Sequence, residues 1–224
     1  MNKNIKLTVI LCLLFVAVVF LLTYLRIVRG NAAASISPEQ LREIGALVYE
    51  KPVALRDFTL LDHNGQLFDK SSLTGQWSLL FFGFTSCPDI CPLTMYELSR
   101  FYRSEQADPY RADTDIVLVS VDPFRDTPER LQQYVTGFSP DFLGVTGEYG
   151  EIAQFARQLF VAHSEPPVTS GEEDNSSAPA DYSIDHSGNI MIINPRGEYH
   201  GFLEGGIQAD NIARAYSAIR AASR

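Results

Sequence analysis

Three cysteines in 224 residues are too few for a disulfide-built scaffold. One of them, Cys12, lies inside an apolar run with no small residue beside it, so it reads as a packing residue and leaves Cys87 and Cys91 as an isolated pair. Positive charge is also scarce. Of 18 lysines and arginines, Lys3, Lys6, Arg26 and Arg29 flank that run, leaving 14 for the remainder of the chain against 27 aspartates and glutamates. Such a deficit argues against nucleic acid or an anionic lipid surface as a partner. No internal repeat is visible, which excludes a solenoid or propeller array.

What is present begins with the apolar run itself. From Leu7 to Leu25 there is no charged residue, a length sufficient for one helix across a bilayer. A cleaved leader ending near Ala32-Ala33-Ala34 is the rival reading, but the apolar core exceeds the usual ~7–15 residues and two arginines follow it. The short N-terminal tail and its amine favour a soluble domain outside the cytoplasm. The chain thus divides into a membrane anchor (1–30), a linker with a short helix (31–52) and one domain (53–224).

Ser37-Pro38-Glu39-Gln40 reads as a capping box opening a helix through Leu47. Phe58 to Leu61 and Gln66 to Phe68, joined by Asp62-His63-Asn64-Gly65, form an expected hairpin of edge strands. Ser78 to Phe84 and Ile116 to Val121 are continuous apolar runs of the kind found in sheets covered on both faces. Helices are expected after each strand, from Leu93 to Tyr102 and from Asp126 to Gly137. A third strand (Phe142 to Val145) and a helix (Glu148 to Phe160) follow, and the alternation argues for parallel pairing. Ser164 to Asp181, rich in proline, serine and acids, reads as a mobile polar insertion. Ile190 to Ile193 and Tyr199 to Leu203 form a final hairpin, and Ile207 to Ala222 a closing helix.

Cys87-Pro88-Asp89-Ile90-Cys91-Pro92 directly follows the first buried strand. Thr85 and Ser86 suit N-cap positions and Pro88 a first helical position, so the thiols are expected at a helix start whose dipole favours thiolate. Residues four apart share a helix face, so the two sulfurs could meet one metal ion or each other. A plain structural disulfide, a redox dithiol and a metal site all remain open at this point. Asp122 and Asp126 have two readings each, as groups that orient the site or its partner, or as local residues, Asp122 in a turn before Pro123 and Asp126 as a helix cap; Asp89 is expected to face the surface. His63 and His200 read as solvated or structural, while His163 borders the insertion and competes with His186 as a metal donor.

The element order is that of a thioredoxin-like α/β fold: a central mixed sheet flanked by helices, with an N-terminal hairpin extension and one N-terminal transmembrane helix. Three segments, Gly83 to Pro92, Ser120-Val121-Asp122-Pro123-Phe124-Arg125-Asp126-Thr127-Pro128-Glu129 and Asp181-Tyr182-Ser183-Ile184-Asp185-His186-Ser187, closely resemble the signature regions of the SCO/SenC/PrrC family. That resemblance runs through most of residues 53 to 220. It implies a membrane-anchored copper protein that helps build the binuclear copper centre of cytochrome c oxidase, in a bacterial inner membrane with its domain on the periplasmic side. It also implies Cys87, Cys91 and His186 as copper ligands; Tyr182 and Asp185 read either as groups supporting that site or as structural residues. Two thiolates and an imidazole suit Cu(I), with Cu(II) as a second state, while three donors fall one short of a structural zinc site. The implied partners are the oxidase subunit that holds the copper site and an upstream copper donor or thiol reductant. An alternative role is a thiol–disulfide oxidoreductase acting on the oxidase cysteines through Cys87 and Cys91. Against a general reductase stand the third residue between the cysteines and the absence of proline just before Ile190.

Overall fold

The structure, a computed structural model, describes residues 11–22, 36–161 and 188–223. Residues 11–22 are the described part of helix α1. Among the described residues no helix is long and apolar enough to cross a membrane. The expected span from Leu7 to Leu25 is therefore matched only in its middle, its two ends lying outside the described residues. The insertion Ser164 to Asp181 also lies outside them.

Helix α2 (Pro38–Glu43) opens on the predicted capping box, with Ser37 and Gln40 bonded reciprocally. It stops four residues before the predicted Leu47, because Gly45 takes a left-handed φ of 79° and turns the chain. Leu47 belongs instead to β1 (Ala46–Ala54), a strand absent from the sequence reading that begins within the stretch assigned to the linker. Pro52 and Glu50 disguise it, and a proline is tolerated because β1 is the outermost strand of the sheet.

The remaining strands are β2 (Thr59–Asp62), β3 (Leu67–Asp69), β4 (Trp77–Gly83), β5 (Thr114–Ser120), β6 (Leu143–Thr146), β7 (Ile190–Ile193) and β8 (Glu198–Leu203). They form one sheet in the order β1-β8-β7-β4-β5-β6-β2-β3, with β4, β5 and β6 parallel and the other pairings antiparallel. The predicted N-terminal hairpin is β2–β3 at the far edge, and the mixed α/β architecture is the one expected.

Helices α3 (Ile90–Tyr102) and α6 (Ala209–Ala222) pack together over the sheet face bearing Trp77, where the Tyr216 ring meets Trp77 and Phe101 edge-on. Helix α4 (Pro128–Thr136) packs on β6, and beyond its end the Phe138 carbonyl accepts from Ser99 of α3. Helix α5 (Tyr149–Gln158) covers the opposite face, with Phe155 stacked on Phe58 and against Phe82. Covering both faces explains why every residue of β4 is buried and why its sequence shows no alternation.

Candidate functional site

The parallel register pairs Phe81 with Leu118 and Gly83 with Ser120, so β4 and β5 end together. The loops leaving their carboxyl ends, Phe84 to Asp89 and Val121 to Thr127, therefore emerge side by side, in the crevice where open α/β sheets bind ligands. Strand β7 runs antiparallel to β4 and starts opposite Phe81, so the chain enters it at the same end. Both motif segments, and the point where the third rejoins the described structure, converge there.

Asp126 ties the two loops together. Fully buried, it accepts from the Thr85 backbone N–H (3.0 Å), the Thr85 hydroxyl (2.5 Å) and the Ser120 hydroxyl (2.7 Å). Burial is the largest influence on its carboxyl and raises its pKa, while the three donors work in the opposite direction. Of the two sequence readings of Asp126, the helix cap does not hold: Thr127 caps α4, accepting from the Arg130 N–H, and leaves Asp126 to join the loops. Asp122 is equally buried, donates its backbone N–H to the Ser120 hydroxyl oxygen at 3.1 Å, and pairs with Arg125, whose guanidinium lies over the Phe84 ring. Arg130 then reaches from α4 to the Ser86 hydroxyl at 2.8 Å.

Those contacts overturn the predicted start of α3. Thr85 and Ser86 are spent on Asp126 and Arg130, so neither caps the helix. The N-cap is Asp89, which faces solvent as expected but makes no side-chain capping bond, and Pro88 precedes it. Cys91 thus sits in the first helical turn and Cys87 in the loop before it. Both are free thiols, Cys87 partly exposed and Cys91 with 0% exposure. The Cys91 thiol hydrogen-bonds with Cys87 and with the Phe84 backbone.

A dipole-stabilised thiolate was the expectation for this pair; at Cys91 the structure reverses it. Burial, first, and then the bond to Cys87 push the Cys91 thiol well above its ordinary value of 9.0, and the Phe84 backbone bond only partly offsets them. Without a metal, Cys91 therefore keeps its proton, which a binding metal must displace. Gly83 makes room for it: a Cβ there would lie 2.9 Å from the Cys91 sulfur and 2.9 Å from the Phe81 ring. Neither Gly83 nor Arg130 was singled out from sequence.

Of the other histidines, His63 Nδ1 accepts from the Gly144 N–H at 3.0 Å, a structural role as expected. His200, read as solvated or structural, is half-buried with its ring edge-on to Trp77 at 5.1 Å, and burial lowers its pKa. His163, His186, Tyr182 and Asp185 lie outside the described residues. Among the described residues no group of three or more His, Cys, Asp or Glu side chains could hold a metal ion. Gly188, two positions after His186, packs against Ile90, the residue before Cys91: a Cβ there would lie 3.2 Å from Ile90 Cγ1.

Residues 49–221 match the family model described as SCO1/SenC. A Stutzerimonas stutzeri protein, named as a candidate copper-binding protein, is 32% identical over 80% of this chain and 83% of its own length. The mitochondrial SCO2 homolog of Bos taurus is 37% identical over 75% of this chain, which spans only 62% of that protein. The crystal structure of Arabidopsis thaliana ScoI with copper bound superposes with a TM-score of 0.62 at 31% identity, covering 74% of this chain and 97% of that one.

Proposed function

The chain belongs to the SCO1/SenC family, and on that premise we propose that it is a copper-binding assembly factor that delivers copper to the binuclear centre of cytochrome c oxidase. The observation that carries this reading is the Cys87–Cys91 pair: two free, mutually hydrogen-bonded thiols in the crevice at the end of β4, in a fold shared with a copper-bound plant relative. Two soft thiolates suit copper, and an ion held by few donors stays open to exchange with a recipient's thiols. His186 is the proposed third ligand, supported by the packing of Gly188 against Ile90. Cu(I) is the form such donors favour, with Cu(II) as a second state.

Within this reading the sheet domain carries the copper, and the apolar run from Leu7 to Leu25 anchors it by a single span in a bacterial inner membrane, with the domain on the periplasmic side. The partners are the copper-site subunit of the oxidase and an upstream copper donor or thiol reductant.

A second reading has one observation in its favour. A partly exposed Cys87 bonded to a buried Cys91 is the arrangement of an attacking and a resolving thiol, as a reductant of the oxidase cysteines would need. His186→Ala separates the two, because it removes a metal donor and neither sulfur. A carrier loses tight copper binding and oxidase maturation, with partial rescue by added copper; a reductase keeps maturation.

A further inference from the structure

Between the end of β4 and the start of α3 the chain makes one tight turn, Phe84 to Cys87, closed by the Cys87 N–H donating to the Phe84 carbonyl at 3.2 Å. Every residue of that turn is engaged. The Phe84 backbone also bonds the Cys91 thiol, and Thr85 gives its N–H and its hydroxyl to Asp126. Ser86, which directly precedes Cys87, is held from α4: its hydroxyl accepts from the Arg130 guanidinium at 2.8 Å, across 44 residues of sequence. Arg130 stands four residues after Asp126, so both ties on the turn come from one rigid piece, the start of α4 that Thr127 caps.

The two ties differ in what they serve. Asp126 is buried, and its bonds to Thr85 belong to the interior of the domain. Ser86 and Arg130 are both exposed, where water would satisfy the hydroxyl equally well, so the interior gives no reason for their bond. Its place does. Cys91 is fixed by α3 and by full burial, whereas Cys87 is partly exposed in the loop before the helix. An ion shared by two sulfurs needs both at one separation, and ordering a loose turn at the moment of binding lowers affinity. We propose that Arg130 is a positioning residue: through Ser86 it holds the Phe84–Cys87 turn, and with it the Cys87 sulfur, where it can share a copper ion with Cys91.

This inference rests on the copper-binding reading, and one arm of its test needs no metal. In the full chain, Arg130→Ala, Ser86→Ala and the double variant all remove the same bond; Ser86→Thr keeps the hydroxyl, and Gln133→Ala, exposed on the same helix, is the control. Two quantities are measured: hydrogen exchange of the Cys87 amide in metal-free protein, and Cu(I) affinity by chelator competition. Each single alanine variant is expected to speed exchange at Cys87 and to weaken copper binding about 3–10-fold, the size of one net hydrogen bond. The double variant goes no further, because the bond is lost only once. Ser86→Thr and Gln133→Ala stay with the parent. In a parent that binds copper, unchanged affinity or unchanged Cys87 exchange in Arg130→Ala overturns the role of Arg130 alone. A double variant whose loss is the product of the two single losses overturns it as well, since the residues then act separately. A parent chain that retains no copper overturns the copper reading itself, and the role of Arg130 with it.

Discussion

Replacing Asp126 by alanine tests whether the two loops are held by one carboxylate. The change strands three donors, the Thr85 N–H, the Thr85 hydroxyl and the Ser120 hydroxyl, in a site with no exposed surface at Asp126. The hydroxyls can turn to other acceptors, but the backbone N–H cannot. A buried donor left unsatisfied costs about 1–3 kcal/mol, so the net loss, after relief of the desolvated charge, is about 2–4 kcal/mol. For a protein of this size that lowers the thermal midpoint by roughly 4–16 °C. Asp126→Asn keeps an acceptor for the Thr85 N–H, and its loss at neutral pH is about 1 kcal/mol.

The pH dependence has a definite sign. Burial raises the Asp126 pKa above its ordinary 3.8, so the folded protein takes up that proton more readily than the unfolded chain. Its contribution to stability is fully present below the ordinary value and is lost as pH rises through the folded one. The gap between parent and Asp126→Asn is therefore expected to widen as pH falls from neutral into the carboxylate range. Thermal unfolding of both variants across that range is the assay. An alanine variant losing less than about 2 °C, or an asparagine gap that narrows in acid, refutes the reasoning.

Gly83→Ala forces a methyl within 2.9 Å of both the Cys91 sulfur and the Phe81 ring, and is expected to destabilise the protein by about 1–3 kcal/mol in chemical denaturation while weakening copper binding. An unperturbed variant would mean that the close fit around Cys91 is not required. In a Cys12→Ser background, iodoacetamide should modify Cys87 well before Cys91, because Cys87 is partly exposed and Cys91 is buried with its thiol pKa raised; mass mapping of equal or reversed labelling would contradict that order. Arg220→Ala removes a guanidinium that lies 4.7 Å from the Tyr110 ring and donates to Thr114, Tyr216 and Asp113, with an expected loss of about 2–4 kcal/mol read from unfolding midpoints. A loss below about 0.5 kcal/mol, the range of an ordinary surface change, would show the cluster to be incidental.

The continuous apolar runs of β4 and β5 were legible because strands buried on both faces have no polar positions to interrupt them. The thiol pair was equally plain, and so was the Asn64-Gly65 turn. Local signals misled where a side chain had a distant use. Thr85 and Ser86 have the chemistry of caps, but their partners stand 41 and 44 residues away. Asp126 fits a cap by spacing, yet its neighbour Thr127 takes that place. Strand β1 escaped notice because an outer strand can carry Pro52 and alternate weakly. On α3, Leu93 and Tyr96 are exposed, while Cys91, Thr94, Met95, Leu98 and Phe101 are buried.

The central claim is that Cys87 and Cys91 hold the copper. Its most direct test is metal content together with the copper X-ray absorption spectrum of the full chain, purified reduced and loaded under nitrogen, beside the Cys87→Ser, Cys91→Ser double variant. The account predicts one copper per parent chain, bound through sulfur and resistant to chelator, and none retained by the double variant. Stoichiometric, chelator-resistant copper in the double variant would contradict it.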